Sequence, residues 1–327
     1  MNSNSLLTWS AQLSPGWSSK GRQLPKPRIL DAAQTRSVPN LTIPTQPTRK
    51  HKSAKPVPVQ KIDLVAIDLD GTLLRSDKRL SKRVIQAVKD VTATGVKVVI
   101  ATARPPRGAR EIFELLELDT YMALYNGAMI LDPYRNKHIY HKPLDPALTK
   151  KMIKLARKAD KDVVVSLEIL DKWYTDHVDE SLPTETSRRF SPDFIGPLDS
   201  FLHVPVTKLL LLAPPQRIGH IREVVEAKVK GKVTTAIADE HLLQYIHREA
   251  SKENALQIIA EKYGVKQENV MAIGDAPNDY GMLSWAGFGV AMANGWESAR
   301  RVADVVVPSN DEDGVAFALR QYVLNNR

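Results

Sequence analysis

Ile62-Asp63-Leu64-Val65-Ala66-Ile67-Asp68-Leu69-Asp70-Gly71-Thr72 joins an apolar, β-branched run to two carboxylates and a Gly-Thr turn. The run from Ile62 to Leu69 predicts a buried strand. Asp68 and Asp70 then stand two residues apart at its carboxyl end, and Gly71 lets the chain turn away without a side-chain clash. The first carboxylate can act as a nucleophile and the second can move a proton. An Asp-Gly turn closing a strand would account for the same residues without any chemistry. The choice rests on what the remaining chain supplies.

Downstream, the pattern alternates. Ser81 is placed to cap a helix whose apolar face is Val84, Ile85, Val88 and Val91, with Gly95 closing it. A second strand, Val96–Thr102, a helix introduced by Pro105 and Pro106, and a third strand, Tyr121–Asn126, complete a β-α-β-α-β run. That order predicts an α/β fold, a parallel sheet with helices on both faces, whose strand ends share one ligand-binding edge. After Asn126 the rhythm changes to hairpins and helices. Ala128–Leu131 pairs with Lys137–His141, Asp145-Pro146 opens a helix, and Val163–Ile169 pairs with Lys172–Asp176. A long loop, Asp179–His203, leads to strand Val206–Ala213, a helix through Ile218, Ile221, Val224 and Val225, and a last pair of strands, Val233–Ala238 and Leu242–Ile246. These predict a small α+β domain over residues 143–246, inserted between a first core part (61–142) and a second (247–327). The second part reads as helix Ser251–Tyr263, strands Val270–Gly274, Phe288–Ala291 and Val305–Val307, and helix Gly314–Leu324.

Three further segments bear on the opening pair. Lys252 lies in the first helical turn of Ser251-Lys252-Glu253-Asn254, where a cation opposes the macrodipole unless an anion binds there. Thr102 closes its strand in Ile100-Ala101-Thr102-Ala103-Arg104-Pro105, where a hydroxyl can donate to a phosphate oxygen. Taken singly, an exposed lysine and a strand-closing threonine are the ordinary readings. Gly274-Asp275-Ala276-Pro277-Asn278-Asp279 follows an apolar strand, so Asp275 and Asp279 reach the sheet edge that holds Asp68. Three carboxylates together suit one hard divalent cation such as Mg²⁺.

The order Asp-x-Asp-Gly-Thr, strand-end Thr, Lys, Gly-Asp-x-x-Asn-Asp resembles the haloacid dehalogenase (HAD) superfamily of phosphohydrolases, over about residues 61–327. The insertion, Tyr125-Asn126-Gly127-Ala128 and Val290-Ala291-Met292-Ala293-Asn294-Gly295 resemble its Cof-type branch. Ala103 and Glu253 stand where Gly is usual, and Pro277 lies inside the last motif; none removes a catalytic group. The resemblance implies a Rossmann-like parallel-sheet core with an inserted α+β cap, and a two-step phosphoryl transfer. Asp68 would attack phosphorus and form an aspartyl-phosphate, and Asp70 would serve as general acid and then general base. Mg²⁺ would be held by the Asp68 carboxylate, the Asp70 carbonyl and Asp275, with Asp279 supporting. Thr102 and Lys252 would hold phosphoryl oxygens, and Asn278 would reach the phosphate or orient Lys252. Arg104 would meet substrate or solvent. Asp70 favours ester hydrolysis over dehalogenation, because a halide leaves unprotonated. The implied substrate is a small phosphorylated metabolite of the sugar phosphate, flavin mononucleotide or pyridoxal phosphate class. The alternatives are a sugar-phosphate mutase or phosphotransferase and a non-catalytic phosphate-binding regulator. Within the cap, Glu168, Tyr174 and His177 are the residues placed to face the cleft.

Composition narrows the classes. The 327 residues hold no cysteine, which excludes disulfides, zinc-thiolate sites and thiol catalysis. The longest aliphatic block, Leu209 to Ala213, is strand-sized, far short of a membrane span. The net charge of +9 divides unevenly: residues 1–60 carry nine Lys/Arg against Asp31 alone, leaving the rest with 37 basic and 36 acidic residues. A near-neutral folded part removes the main support for nucleic acid as a partner, and no membrane partner is expected; oligomeric state is not legible. Residues 1–60 hold 13 Ser/Thr and eight prolines and lack apolar periodicity. They read as a disordered tail and, being basic, hydroxyl-rich and nearly acid-free, as a transit peptide. Ser/Thr/Pro richness favours a plastid, with mitochondrion or cytoplasm as alternatives.

Overall fold

The computed structural model describes residues 61–326; the tail and its targeting role lie outside the described residues. The first core part contains β1 (Leu64–Ile67), α1 (Lys82–Ala93), β2 (Lys97–Ala101), α2 (Pro106–Leu115), β3 (Met122–Leu124), β4 (Met129–Asp132) and β5 (Lys137–His141). The insertion contains α3 (Pro146–Ala159), β6 (Val164–Ile169), β7 (Lys172–Thr175), β8 (Phe194–Ile195), β9 (Lys208–Leu212), α4 (Pro215–Val229), β10 (Val233–Asp239) and β11 (Leu242–His247). The chain closes with α5 (Lys252–Lys262), β12 (Val270–Gly274), α6 (Tyr280–Trp285), β13 (Phe288–Met292), α7 (Glu297–Val302), β14 (Val305–Val307) and α8 (Gly314–Leu319). Among the described residues no helix is long and apolar enough to cross a membrane.

Two sheets organise these elements. The larger runs β14-β13-β12-β1-β2-β3-β4-β5, parallel from β14 to β3 and antiparallel at β4 and β5. Every residue of β1 is buried because both of its faces are covered. Val65 and Ile67 pack toward α1, α2 and α8, and Leu64 and Ala66 toward α5, α6 and α7. The smaller sheet, β10-β11-β9-β6-β7-β8, is antiparallel except at its β7–β8 edge, and buries one face against α3 and α4. The fold is therefore an α/β parallel-sheet core with an inserted α+β cap. Caps start the helices as their sequences predict: Ser81, Asp145 and Ser251 each accept from a backbone N–H of the first turn, at 3.0 to 3.1 Å.

The strand order places the site. β1 lies between β12 and β2, the point where the order of the parallel strands reverses. The three strands end together in Asp68, Thr102 and Asp275.

The structure departs from expectation in three places. The third strand stops at Leu124, because Tyr125 and Asn126 adopt left-handed φ of 54° and 55°. There the Tyr125 and Asn126 N–H groups donate to Arg104 O (3.1 Å) and Thr102 O (2.9 Å), and this ties the turn to the Thr102 segment. The long loop contains β8, whose partner is β7. The short helices α6 and α7 have no counterpart in the sequence pattern; at six residues each they have little periodicity to read and depend on packing.

Candidate active site

The loop after β1 is shaped by its neighbours. Asp68 N donates to Ile273 O (3.1 Å), which extends the β1–β12 pairing by one residue. Thr72 N and Leu74 N both donate back to Leu69 O, curling the segment. Gly71 has φ +83°, and a Cβ there would lie 2.4 Å from Asp275 Oδ2, so only glycine permits this approach. The Thr72 hydroxyl donates to Asp275 Oδ1 (2.7 Å), and Asn294 Nδ2 donates to Gly71 O (2.8 Å).

Lys252 is the first residue of α5 and is fully buried. The start of α5 packs on the turn after β3. Gly127 has φ +88°, and a Cβ there would fall 2.0 Å from Ser251 O. The ammonium donates to Asp68 Oδ1 (2.5 Å) and to Asp279 Oδ1 (2.6 Å). The other Asp279 oxygen accepts from Asp275 N (2.9 Å) and Ala276 N (3.0 Å). Both oxygens of Asp279 are thus committed to holding the lysine and the turn. Asp68 and Asp275 keep lone pairs free.

Three buried carboxylates, Asp68, Asp275 and Asp279, offer oxygens that all lie within 4.8 Å of one another. One ammonium cannot balance them. Burial pushes the Asp68 carboxyl well above the usual range; Lys252 opposes the rise, and Asp279 and Asp275 add to it. Burial likewise lifts Asp275 to about 6. Burial alone would lower the Lys252 ammonium, but the charges of Asp279 and Asp68 override it and raise it. An all-oxygen donor set with excess negative charge fits a hard divalent cation.

Asp70 faces elsewhere. Arg104 Nε and Nη2 bind its two oxygens at 2.7 and 2.6 Å, and Lys78 Nζ adds a contact of 2.9 Å. Burial would raise this carboxyl, but the Arg104 hydrogen bonds and charge, helped by Lys78, hold it at about 2. Its side chain therefore stands outside the carboxylate cluster. Thr102 is buried at the end of β2, its hydroxyl accepting from Arg104 N (3.2 Å).

The sheet edge gathers Asp68, Thr102, Lys252, Asp275 and Asp279, all named from sequence. Asn278 is exposed and donates to Asn126 Oδ1 (2.9 Å). Arg104 is neither free nor solvated: its side chain is 11% exposed and pairs with Asp70. In the cap, Glu168 is buried facing the core and His177 lines a cavity on the cap sheet. Tyr174 packs on the opposite side against Phe194 and Phe201. Sequence reasoning assigned no role to Thr72, Lys78 or Asn294. For Thr72 the signal was present, since the residue after Gly71 must leave the turn beside Asp275.

The comparisons agree with this geometry. A family model described as haloacid dehalogenase-like hydrolase matches residues 65–319. The 5-amino-6-(5-phospho-D-ribitylamino)uracil phosphatase YitU of Bacillus subtilis is 32% identical over 263 residues, 79% of this chain and 97% of its own length. YcsE of the same organism, a phosphatase of the same name, is 31% identical over 263 residues, 80% of this chain and 96% of its own. The crystal structure of a haloacid dehalogenase-like hydrolase from Bacteroides thetaiotaomicron superposes with a TM-score of 0.73 at 26% identity, over 80% of this chain and 99% of that one.

Proposed function

This chain belongs to the haloacid dehalogenase-like hydrolases, in their Cof-type phosphatase branch, and we propose that it is a Mg²⁺-dependent phosphatase acting through an aspartyl-phosphate on Asp68. That it is a phosphoric monoester hydrolase follows from its family and its phosphatase relatives. The finer reading is carried by one observation: a buried Asp68 carboxylate held by Lys252 at 2.5 Å, beside Asp275, where the sheet order reverses.

The roles follow from position. Asp68 attacks phosphorus and takes the phosphoryl group while the ester oxygen leaves. Lys252 aligns the nucleophile and neutralises phosphoryl oxygens, to which the Thr102 hydroxyl donates. Asp68, the Asp70 carbonyl and Asp275 are the residues that would hold Mg²⁺, with Asp279 fixing Lys252 and the turn. When bound, Mg²⁺ supplies positive charge to the transferring phosphoryl group. The Arg104 pair keeps Asp70 ionised, the form that takes a proton from the hydrolytic water. To protonate the leaving oxygen, Asp70 must first be released from Arg104, for whose guanidinium incoming phosphate oxygens compete, and take up a proton from solvent. Asn278 stays at the rim.

The substrate is a small phosphorylated metabolite. Two relatives are named for a phosphate ester of a ribityl chain, which favours that kind of ester within the sugar phosphate, flavin mononucleotide and pyridoxal phosphate classes. The basic, Ser/Thr-rich residues 1–60 support a plastid location; a reporter fused to them that stays in the cytosol refutes it. For the mechanism, Asp68→Asn should abolish phosphate release from a generic ester in the presence of Mg²⁺. Retained turnover would overturn the nucleophile assignment.

A further inference from the structure

The cap sheet has two unlike faces, because side chains alternate along each strand. Val165, Leu167, Leu209, Leu211 and Leu243 pack on the helices. The opposite face reads in three rows set by register. Glu168 stands across from Lys208 at the end nearest the core, Ser166 and Gln244 flank Leu210 in the middle, and Val164 and Leu242 flank Leu212 at the far end. Polarity falls outward from the core. Over this face the chain after β7 closes a cavity of about 250 Å³, walled by Val164, Trp173, Leu182, Leu210 and Leu212, with Glu168 in its lining.

Lys208 is the anomaly of the first row. It is 5% exposed; its ammonium donates to two neutral oxygens, Ala103 O at 3.4 Å and Gln244 Oε1 at 3.2 Å, and lies 5.1 Å from the centroid of the Tyr125 ring. Among the described residues no carboxylate lies within ion-pairing distance of it. Glu168, its register partner, gives its oxygens to Arg107 Nη2 (2.5 Å) and the Tyr125 hydroxyl (3.0 Å). Burial pulls the Lys208 ammonium down to about 8. A buried cation without a contacting counter-charge is costly; the charge of Glu168 and the Tyr125 ring face offset part of that cost. Ala103, which it touches, directly follows Thr102 at the phosphate end of β2.

We infer that Lys208, with the Gln244 amide, determines specificity for the leaving group: it takes a hydroxyl oxygen of a polyhydroxy chain next to the phosphate, and the cavity beyond takes a less polar end of the same molecule. A hydroxyl suits the place better than a second anion, because it can accept from the Lys208 ammonium and donate to the Gln244 Oε1 that lies 3.2 Å from it, and an anion has no proton to give that oxygen. The inference rests on the phosphatase reading of the Asp68 centre and adds the order in which the substrate is read: phosphate, hydroxyl, apolar end.

The test measures phosphate released by the full chain with Mg²⁺ from ribitol phosphate, flavin mononucleotide, phosphoglycerate and para-nitrophenyl phosphate. Wild type should prefer flavin mononucleotide over ribitol phosphate, and both over the other two. Lys208→Met should lower the kcat/KM ratio of ribitol phosphate to para-nitrophenyl phosphate by about tenfold or more, mainly through KM, the loss expected for one charge-assisted hydrogen bond. Gln244→Leu should move the same ratio in the same direction, and it carries the test if the first variant does not fold. Equal losses on both substrates would make Lys208 a structural lysine that seats the cap. That result, an unchanged ratio, or a wild-type preference for phosphoglycerate overturns the inference and leaves the phosphatase standing. A wild type that hydrolyses none of the four esters overturns both.

Discussion

Replacing Asp275 with Asn tests the charge balance that the site geometry implies. In the wild type, burial lifts this carboxyl from 3.8 to about 6; the Thr72 hydrogen bond restrains the rise and Asp279 adds to it. A carboxyl whose folded-state value lies above its unfolded value holds its proton more tightly when folded. Its favourable contribution is complete below 3.8 and is lost as pH rises through about 6. The difference corresponds to about 3 kcal/mol. The amide introduced by Asp275→Asn cannot ionise, yet its oxygen still accepts from Thr72, so packing is kept. Urea unfolding with a chelator should give matching stabilities near about pH 4, with the variant ahead by up to about 3 kcal/mol above about pH 6. Magnesium should close most of that gap. At a hundredfold excess over Kd it adds about 2.7 kcal/mol to a protein that binds it, and the variant, lacking one carboxylate ligand, should gain much less. Parallel stability curves across this pH range in chelator, or equal gains from magnesium, would refute the reasoning.

Lys252→Met should reduce turnover by roughly a thousandfold or more, the scale of losing a preorganised charge at a phosphoryl group; single-turnover phosphate release measures it. The same change leaves Asp68 and Asp279 buried without their shared cation, so unfolding should also become easier by about 3–5 kcal/mol in chelator, read from urea midpoints. Gly71→Ala places a Cβ 2.4 Å from Asp275 Oδ2 at φ +83°. It should cost about 1–3 kcal/mol and weaken magnesium binding by calorimetry; unchanged affinity would mean that the loop relaxes freely.

Much of this site was legible because its parts are local. An apolar strand ending in Asp68, another ending in Thr102 and a third running into Asp275 each advertise themselves within six residues, and parallel pairing then forces their ends together. The capping of α5 was readable from Ser251 in the same way. Arg104 was not readable. Its sequence neighbourhood allows an exposed side chain, and its pairing with Asp70 depends on how the turn at Gly71 lies against the end of β2. Tyr174 faced the wrong way in the sequence reading because face depends on register. The two-residue turn Leu170-Asp171 pairs Tyr174 with Leu167, on the helix-packed side, and Trp173 with Glu168 on the other.

The sequence by itself determined the chemistry at the sheet edge: two carboxylates after β1, a hydroxyl after β2, a lysine at a helix start and two more acids after β12. Tertiary structure alone decided how the charges are shared. Lys252 and Asp68 are 184 positions apart yet meet at 2.5 Å, Asp279 spends both oxygens on that contact and its turn, and Lys208 is buried at the cap seam with no carboxylate at ion-pairing distance among the described residues. Side-chain identity is written residue by residue. Desolvation and Coulomb energy depend on which residues distant in the chain exclude water together, and only the folded chain brings them together.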